Sequence, residues 1–271
     1  MKKILFIGNS HIGSLKKGYD KLIAEKSIDD YKLFFLGIPR DQIHTFFKIR
    51  NINEIFFKDS YKEFTRNLSA DFSKSLNSYD FIIWVQSYSP LDPRCFYRLG
   101  RGNLFDFELL SNNIIEEIFN NENYLTTSFM FSDEEKSSNK KKERILKIIS
   151  LLRNRFSEKF IFLGMPFISL KEDMLRPKDR KMISNKEWAK MFRKQNERIK
   201  SIFKKWNNQY PYKFCFPPDK VLDSTGIYTK KEYALGALDV NADKRIKDFD
   251  AKHMNGDYGK EILNYLLQNL E

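Results

Sequence analysis

Hydrophobic residues in this chain are gathered into short runs, which are separated by longer stretches of mixed polar and apolar residues. Five of the runs are rich in Ile, Leu, Phe or Val, and each ends at Gly, Pro, Ser or a polar residue. This pattern is typical of strands that are buried on both faces of a parallel sheet. We therefore predict strands at residues 3–8, 32–37, 80–86, 159–164 and 212–216.

The stretches between these runs carry apolar residues at helical spacing. They predict helices at residues 13–26, 40–50, 61–78, 107–120, 143–157, 186–208 and 255–270. Strands that alternate with helices in this way favour an α/β protein built on a central parallel sheet of about five strands.

The length of 271 residues allows one large domain or two small ones. We expect a single domain over residues 1–271, because the first and last segments are predicted to build one site. The interval 87–158 is longer than a crossover needs, and a second elaboration covers 171–186. Both are predicted to be insertions, and the first is a candidate flap or helical cap.

Composition excludes several classes of protein. Hydrophobic residues make up 41% of the chain, which is too much for a disordered protein, and only two cysteines are present, too few for a disulfide framework or a zinc-finger array. No stretch of ~18 apolar residues predicts a membrane-spanning helix. The first apolar run is too short for a signal peptide. These features predict a soluble, cytoplasmic protein.

The chain is basic, with 48 Lys and Arg against 36 Asp and Glu and a net charge of +12. Such an excess attracts anions such as nucleic acid, an acidic glycan, a phosphorylated donor or a membrane surface. More often, such an excess is simply a lysine-rich solvated surface. No nucleic-acid-binding motif accompanies the charge, so we predict no specific nucleic-acid partner. Three scattered histidines and two distant cysteines predict no metal site.

Candidate chemistry lies first at the end of the first predicted strand, which continues into Gly8-Asn9-Ser10-His11. Ligands of α/β proteins gather at the carboxyl ends of parallel strands. Ser10 is predicted to stand at the start of the following helix, with its hydroxyl exposed and its own N–H available to an oxyanion. The alternative is that Asn9 or Ser10 only caps the helix.

A second candidate lies near the other end of the chain, where Asp250 precedes His253 by three residues in a polar segment. A general base needs an imidazole that a carboxylate holds in one tautomer. An Asp-x-x-His turn supplies both groups. The alternative is a capping Asp beside a surface His.

Together the two segments resemble the SGNH (GDSL-like) hydrolase and acyltransferase superfamily. Gly8-Asn9-Ser10-His11 resembles its first block, with Asn9 in place of the usual Asp, and Asp250-x-x-His253, followed by Asn255 and Tyr258-Gly259, resembles its last block. The resemblance extends over the framework from residue 4 to residue 267. It implies a three-layer, flavodoxin-like sandwich with helical insertions.

The resemblance also implies an oxyanion hole. Its donors would be the N–H groups of Ser10 and Gly37, the residue that closes the second strand. The superfamily normally adds an Asn after the third strand, and this chain has none there. Gln86 is the predicted substitute, with Ser87 and Tyr88 as alternatives.

The activity implied is a serine esterase or O-acyltransferase that acts through an acyl-serine and needs no cofactor. Ser10 would attack an ester carbonyl while His253, oriented by Asp250, takes its proton. Asn9, His11 and Asn255 would then line the substrate site.

The resemblance implies a carbohydrate or other acyl-ester substrate, anionic if the basic surface takes part, with acyl-CoA as a candidate donor and surface-polysaccharide biosynthesis as the setting. The alternative is a catalytically degenerate carbohydrate-binding or scaffold protein. The missing Asn favours that alternative, whereas the retained Ser10, Asp250 and His253 oppose it. A third possibility is a basic nucleic-acid-binding protein with an α/β core.

Overall fold

A computed structural model shows the architecture. It describes residues 1–8, 11–37, 47–51, 54–57, 73, 75–87, 157–164, 169, 213–224, 226, 228–239, 244–245 and 253–270. The strands are β1 (Lys2–Gly8), β2 (Tyr31–Gly37), β3 (Phe47–Asn51), β4 (Glu54–Phe57), β5 (Phe81–Ser87), β6 (Phe160–Gly164), β7 (Lys213–Cys215), β8 (Leu238–Asp239) and β9 (Lys244–Arg245). The helices are α1 (Ile12–Ala24) and α2 (Gly256–Gln268), with 3₁₀ turns at Leu76–Ser78, Ser157–Lys159, Asp219–Val221 and Lys231–Ala234.

The central sheet has the order β2-β1-β5-β6-β7, and every pair in it is parallel. β1, β2, β5 and β6 form its body, and the three-residue β7 extends it at one edge. The chain leaves β1 for β2 on one side and later continues at β5 on the other. The order therefore reverses beside β1, and such a switch point opens a crevice at the carboxyl ends of the strands.

The five predicted strands are confirmed, and with them the α/β class and the central parallel sheet. The reason lies in burial on both faces. Ile4, Leu5, Phe6 and Ile7 are all 0% exposed in the middle of the sheet. A central parallel strand needs apolar residues at consecutive positions, so its sequence is a continuous hydrophobic run.

The predicted helices at 13–26 and 255–270 are also confirmed, as α1 and α2. Each presents an apolar stripe inward. Ile12, Leu15 and Leu22 are buried on α1, as are Ile262 and Leu266 on α2. Their polar faces carry lysines that pair with acids on the same or the facing helix, such as Lys16 with Asp20 and Lys260 with Glu25.

The helix predicted at 40–50 is wrong over its last four residues. Residues 47–51 form β3, which pairs antiparallel with β4 so that Phe47 lies opposite Phe57 and Ile49 opposite Ile55. The physical reason is the alternation of Phe47 and Ile49 with Lys48 and Arg50, a period of two that suits a strand better than a helix.

Other predictions fall mainly outside the described residues. Of the helix predicted at 61–78, the structure describes Leu76–Ser78 as a 3₁₀ turn. The helices at 107–120 and 186–208, and the helix at 143–157 except for Ser157, lie outside the described part, as do the insertion at 171–186 and all but the ends of the insertion at 87–158. Among the residues that the structure describes, no helix is both long and apolar enough to cross a membrane.

Candidate functional site

The site begins where β1 ends. Gly8 lies between Gly37 at the end of β2 and Val85 on β5. A Cβ atom added at Gly8 would lie 2.8 Å from the Cβ of Val85, so a larger residue would push the two strands apart. β5 continues two residues further, through Gln86 to Ser87, and its register with β6 shifts between Trp84 and Ser87. Such irregularities are common beside active sites.

Two histidines from opposite ends of the chain meet at this edge. The imidazole rings of His11 and His253 are stacked, with centroids 5.3 Å apart and planes 29° from parallel. His11 immediately precedes α1, and His253 lies three residues before α2. Both residues are half-buried. The pairing brings together the two segments that the sequence singled out as chemically interesting.

A backbone contact between the two helices supports this pairing. A Cβ atom added at Gly259 would lie 1.8 Å from the carbonyl oxygen of Ser14, and one added at Gly18 would lie 2.3 Å from the carbonyl carbon of Gly259. Only glycine allows so close an approach. Because Ser14 is in the first turn of α1 and Gly259 in the first turn of α2, the contact fixes the starts of both helices against each other.

Charged pairs add little to this contact. Lys21 binds Asp257 and Lys260 binds Glu25 across the two helices. All four side chains are partly exposed, so each pair contributes ~0–1 kcal/mol. The glycine contact therefore matters more than the ion pairs for placing the two histidines.

Asn255 has a structural role at the start of α2, and its contact with substrate stays a prediction. Its side-chain oxygen accepts hydrogen bonds from the N–H groups of Asp257 and Tyr258 and so caps α2. Its amide donates to the carbonyl oxygens of Glu232 and Leu235, at 2.8 and 3.0 Å. With both donors and the oxygen engaged inside the protein, the side chain is committed to holding the 231–235 turn at the start of α2.

Replacing Asn255 by Ala is expected to lower the free energy of unfolding by ~2 kcal/mol, because it removes a helix cap and leaves two carbonyl groups without their donors. Asn269→Ala is the matched control. Asn269 makes one exposed side-chain bond, to the carbonyl of Tyr265, so its loss should cost less than ~1 kcal/mol. Urea unfolding of both variants measures the difference. Equal costs would contradict the structural role of Asn255.

Two other reactive groups near α2 are unsuited to chemistry at neutral pH. Burial raises the pKa of the Cys215 thiol to about 12, which keeps it protonated. The pKa of Tyr258 is raised well above its usual value, mainly by burial and further by Cys215 and Tyr233. Both side chains are therefore held in their protonated forms at neutral pH. No group of three or more His, Cys, Asp or Glu residues in the described part is placed to hold a metal ion.

The structure describes some of the predicted site residues and not others. His11, His253 and Gly37 lie at the carboxyl edge of the sheet or beside it, and the backbone of Gln86 lies there too. The predicted nucleophile Ser10, its neighbour Asn9 and the predicted acid Asp250 lie outside the described residues. Their roles stay predictions.

Sequence reasoning missed the glycines that join α1 to α2. Gly18 is a signal that was present in the sequence, because a glycine inside a helical pattern costs ~1 kcal/mol relative to Ala and so usually has a packing reason. Gly259 gave a weaker signal, since it stands near a helix start. Its partner could not be read from the sequence.

Comparisons of this chain with protein-family models, with curated proteins and with solved structures give no match. Any function must therefore be argued from the site itself.

Proposed function

We propose that this protein is a serine-dependent esterase or O-acyltransferase that acts on a carbohydrate through an acyl-serine intermediate. In this proposal Ser10 is the nucleophile, His253 the general base and Asp250 the group that orients His253. The fold would be the three-layer, flavodoxin-like sandwich of the SGNH superfamily. The order of the parallel sheet, with β1 second and the reversal beside it, supports that assignment.

The contact between His11 and His253 is the observation that carries the proposal. Ser10 is joined to His11 by a peptide bond, so a base at His253 stacks on the ring of the residue next to the nucleophile. Nucleophile and base must come within hydrogen-bond reach to react. The close glycine contact between α1 and α2 holds the same two segments together, which argues against an accidental pairing of the histidines.

The reaction would follow ordinary acyl transfer. The Ser10 oxygen forms a bond to the ester carbonyl carbon as its proton passes to His253. The ester C–O bond then breaks, and His253 returns the proton to the departing alcohol. Water or a sugar hydroxyl then gives its proton to His253 and attacks the acyl carbon. The bond from that carbon to the Ser10 oxygen breaks, His253 returns the proton to Ser10, and the product is a free acid or a new ester.

The oxyanion would be held by the N–H groups of Ser10 and Gly37, with Gln86 as a third donor. Gly37 and Val85 flank Gly8 on both sides, so β2, which carries Gly37, and β5, which carries Gln86, are the two neighbours of β1. Loss of a single oxyanion donor typically costs ~10²–10³ in rate. The net charge of +12 suits an anionic glycan or a CoA-linked acyl donor.

A fluorophosphonate probe tests the proposal, because an activated serine displaces its fluoride and forms a stable O–P bond. We expect the intact mass of the wild type to rise by one adduct and that of Ser10→Ala to stay unchanged. Ser27→Ala is the control variant. Ser27 lies beyond the far end of α1 and donates to the carbonyl of Leu22, so its removal should leave labelling intact.

Folding is checked by urea unfolding of each variant. An unlabelled, folded wild type, or equal labelling of wild type and Ser10→Ala, would refute the enzyme proposal. In the first case, binding of glycans without turnover becomes the function to test.

A further inference from the structure

We propose that His11 is a positioning residue, which holds the imidazole of His253 in its working orientation by stacking against it. The inference rests on the proposed function and assigns His11 a role through His253, in place of the direct substrate contact that the sequence predicted. It is based on the stacking of the two rings and on the contacts that hold the backbone next to each ring.

The His11 side is held through its backbone. The hydroxyl of Ser14 donates a hydrogen bond of 2.9 Å to the carbonyl oxygen of His11. Ser14 is only 4% exposed, so this bond is shielded from water. The residue that carries the ring is therefore tied to the first turn of α1.

The same serine connects to the other histidine. The carbonyl of Ser14 lies against the Cα of Gly259, where no Cβ would fit. The N–H of Gly259 donates to the carbonyl of Asn255, which is two residues from His253. The backbone N–H of Asn255 in turn donates to the carbonyl oxygen of Tyr233, at 2.7 Å. These contacts thus link the backbone of His11 to Asn255, two residues from His253.

The orientation of the His253 ring matters for catalysis. A general base loses efficiency when its ring turns away from the nucleophile, and a displacement of about 1 Å can cost ~10²-fold in rate. A carboxylate on one ring nitrogen fixes the tautomer but leaves the ring free to swing about that bond. A flat ring stacked at 5.3 Å blocks that swing on one side. His11 would supply this restraint.

Three substitutions separate stacking from other roles. His11→Ala removes the ring, His11→Asn keeps a hydrogen-bonding group without a ring, and His11→Phe keeps a flat ring without the nitrogens. The measurement is the second-order rate of fluorophosphonate labelling at Ser10. We expect Ala and Asn to lower it ~10- to 100-fold and Phe to restore most of that loss.

A spectroscopic readout accompanies the rates. The chain has three histidines, so the ring signals of labelled histidine are few and can be assigned from single variants. The ring current of a stacked neighbour shifts the His253 signal, and this shift should vanish in His11→Ala and persist in His11→Phe.

The outcomes are distinct. Equal labelling of wild type and His11→Ala would overturn the positioning role while leaving the enzyme intact. A rate in His11→Phe as low as that in His11→Ala would also overturn it, because the nitrogens and not the stacked ring would then matter. A folded wild type that takes no label would refute the proposed function and, with it, this inference.

Discussion

Replacing Gly259 by Ala is expected to lower the free energy of unfolding by at least ~3 kcal/mol. The added Cβ would stand 1.8 Å from the carbonyl oxygen of Ser14, which is backbone and cannot swing away. Ala is the better helix former by ~1 kcal/mol, so propensity alone would stabilise the variant. The overlap exceeds that gain, and the two helices must separate for the variant to fold.

Gly236→Ala is the matched control for this substitution. Gly236 has a φ of +66°, and nothing lies within 4 Å of its would-be Cβ. Its replacement should cost only the backbone strain of an L-residue in that region, ~1–2 kcal/mol. Urea unfolding gives both free energies. If Gly259→Ala unfolds at the same urea concentration as the wild type, the close contact between α1 and α2 is absent.

The sheet shows what a sequence predicts well. A central parallel strand is covered on both faces, so burial alone dictates an uninterrupted apolar run such as Ile4–Ile7. Such a strand can be predicted without knowing which strands pair with it. The same local logic predicts α1 and α2 from their apolar stripes. It was misapplied at residues 47–50, where the alternation of Lys48 and Arg50 with apolar residues favours a strand, which pairs with β4.

The site is a harder case because its geometry is a tertiary property. The sequence singled out His253 from its own spacing to Asp250, but nothing local indicates that its ring meets that of His11. Asn255 was predicted to touch substrate because it follows His253. The hydrogen bonds it makes depend on the 231–235 turn, whose position only the folded chain determines.

Removal of the base is expected to have the largest effect on chemistry. His253→Ala should slow fluorophosphonate labelling of Ser10 by ~10²–10⁴-fold, the usual contribution of a general base. The variant should still fold, since His253 is half-buried and precedes α2 without capping it. The helix start is capped by Asn255, which the substitution leaves in place.

Added imidazole distinguishes loss of the base from a damaged fold. The space left by the His253 side chain adjoins the ring of His11, so free imidazole has a flat surface to stack on. In the proposed mechanism, the added imidazole would take the Ser10 proton in place of His253. Labelling of His253→Ala should therefore rise with imidazole concentration, whereas Ser10→Ala should stay unlabelled at every concentration. Labelling of His253→Ala at the wild-type rate without imidazole would mean that another group activates the serine. In that case the stacked pair of histidines would be part of the scaffold and not of the chemistry.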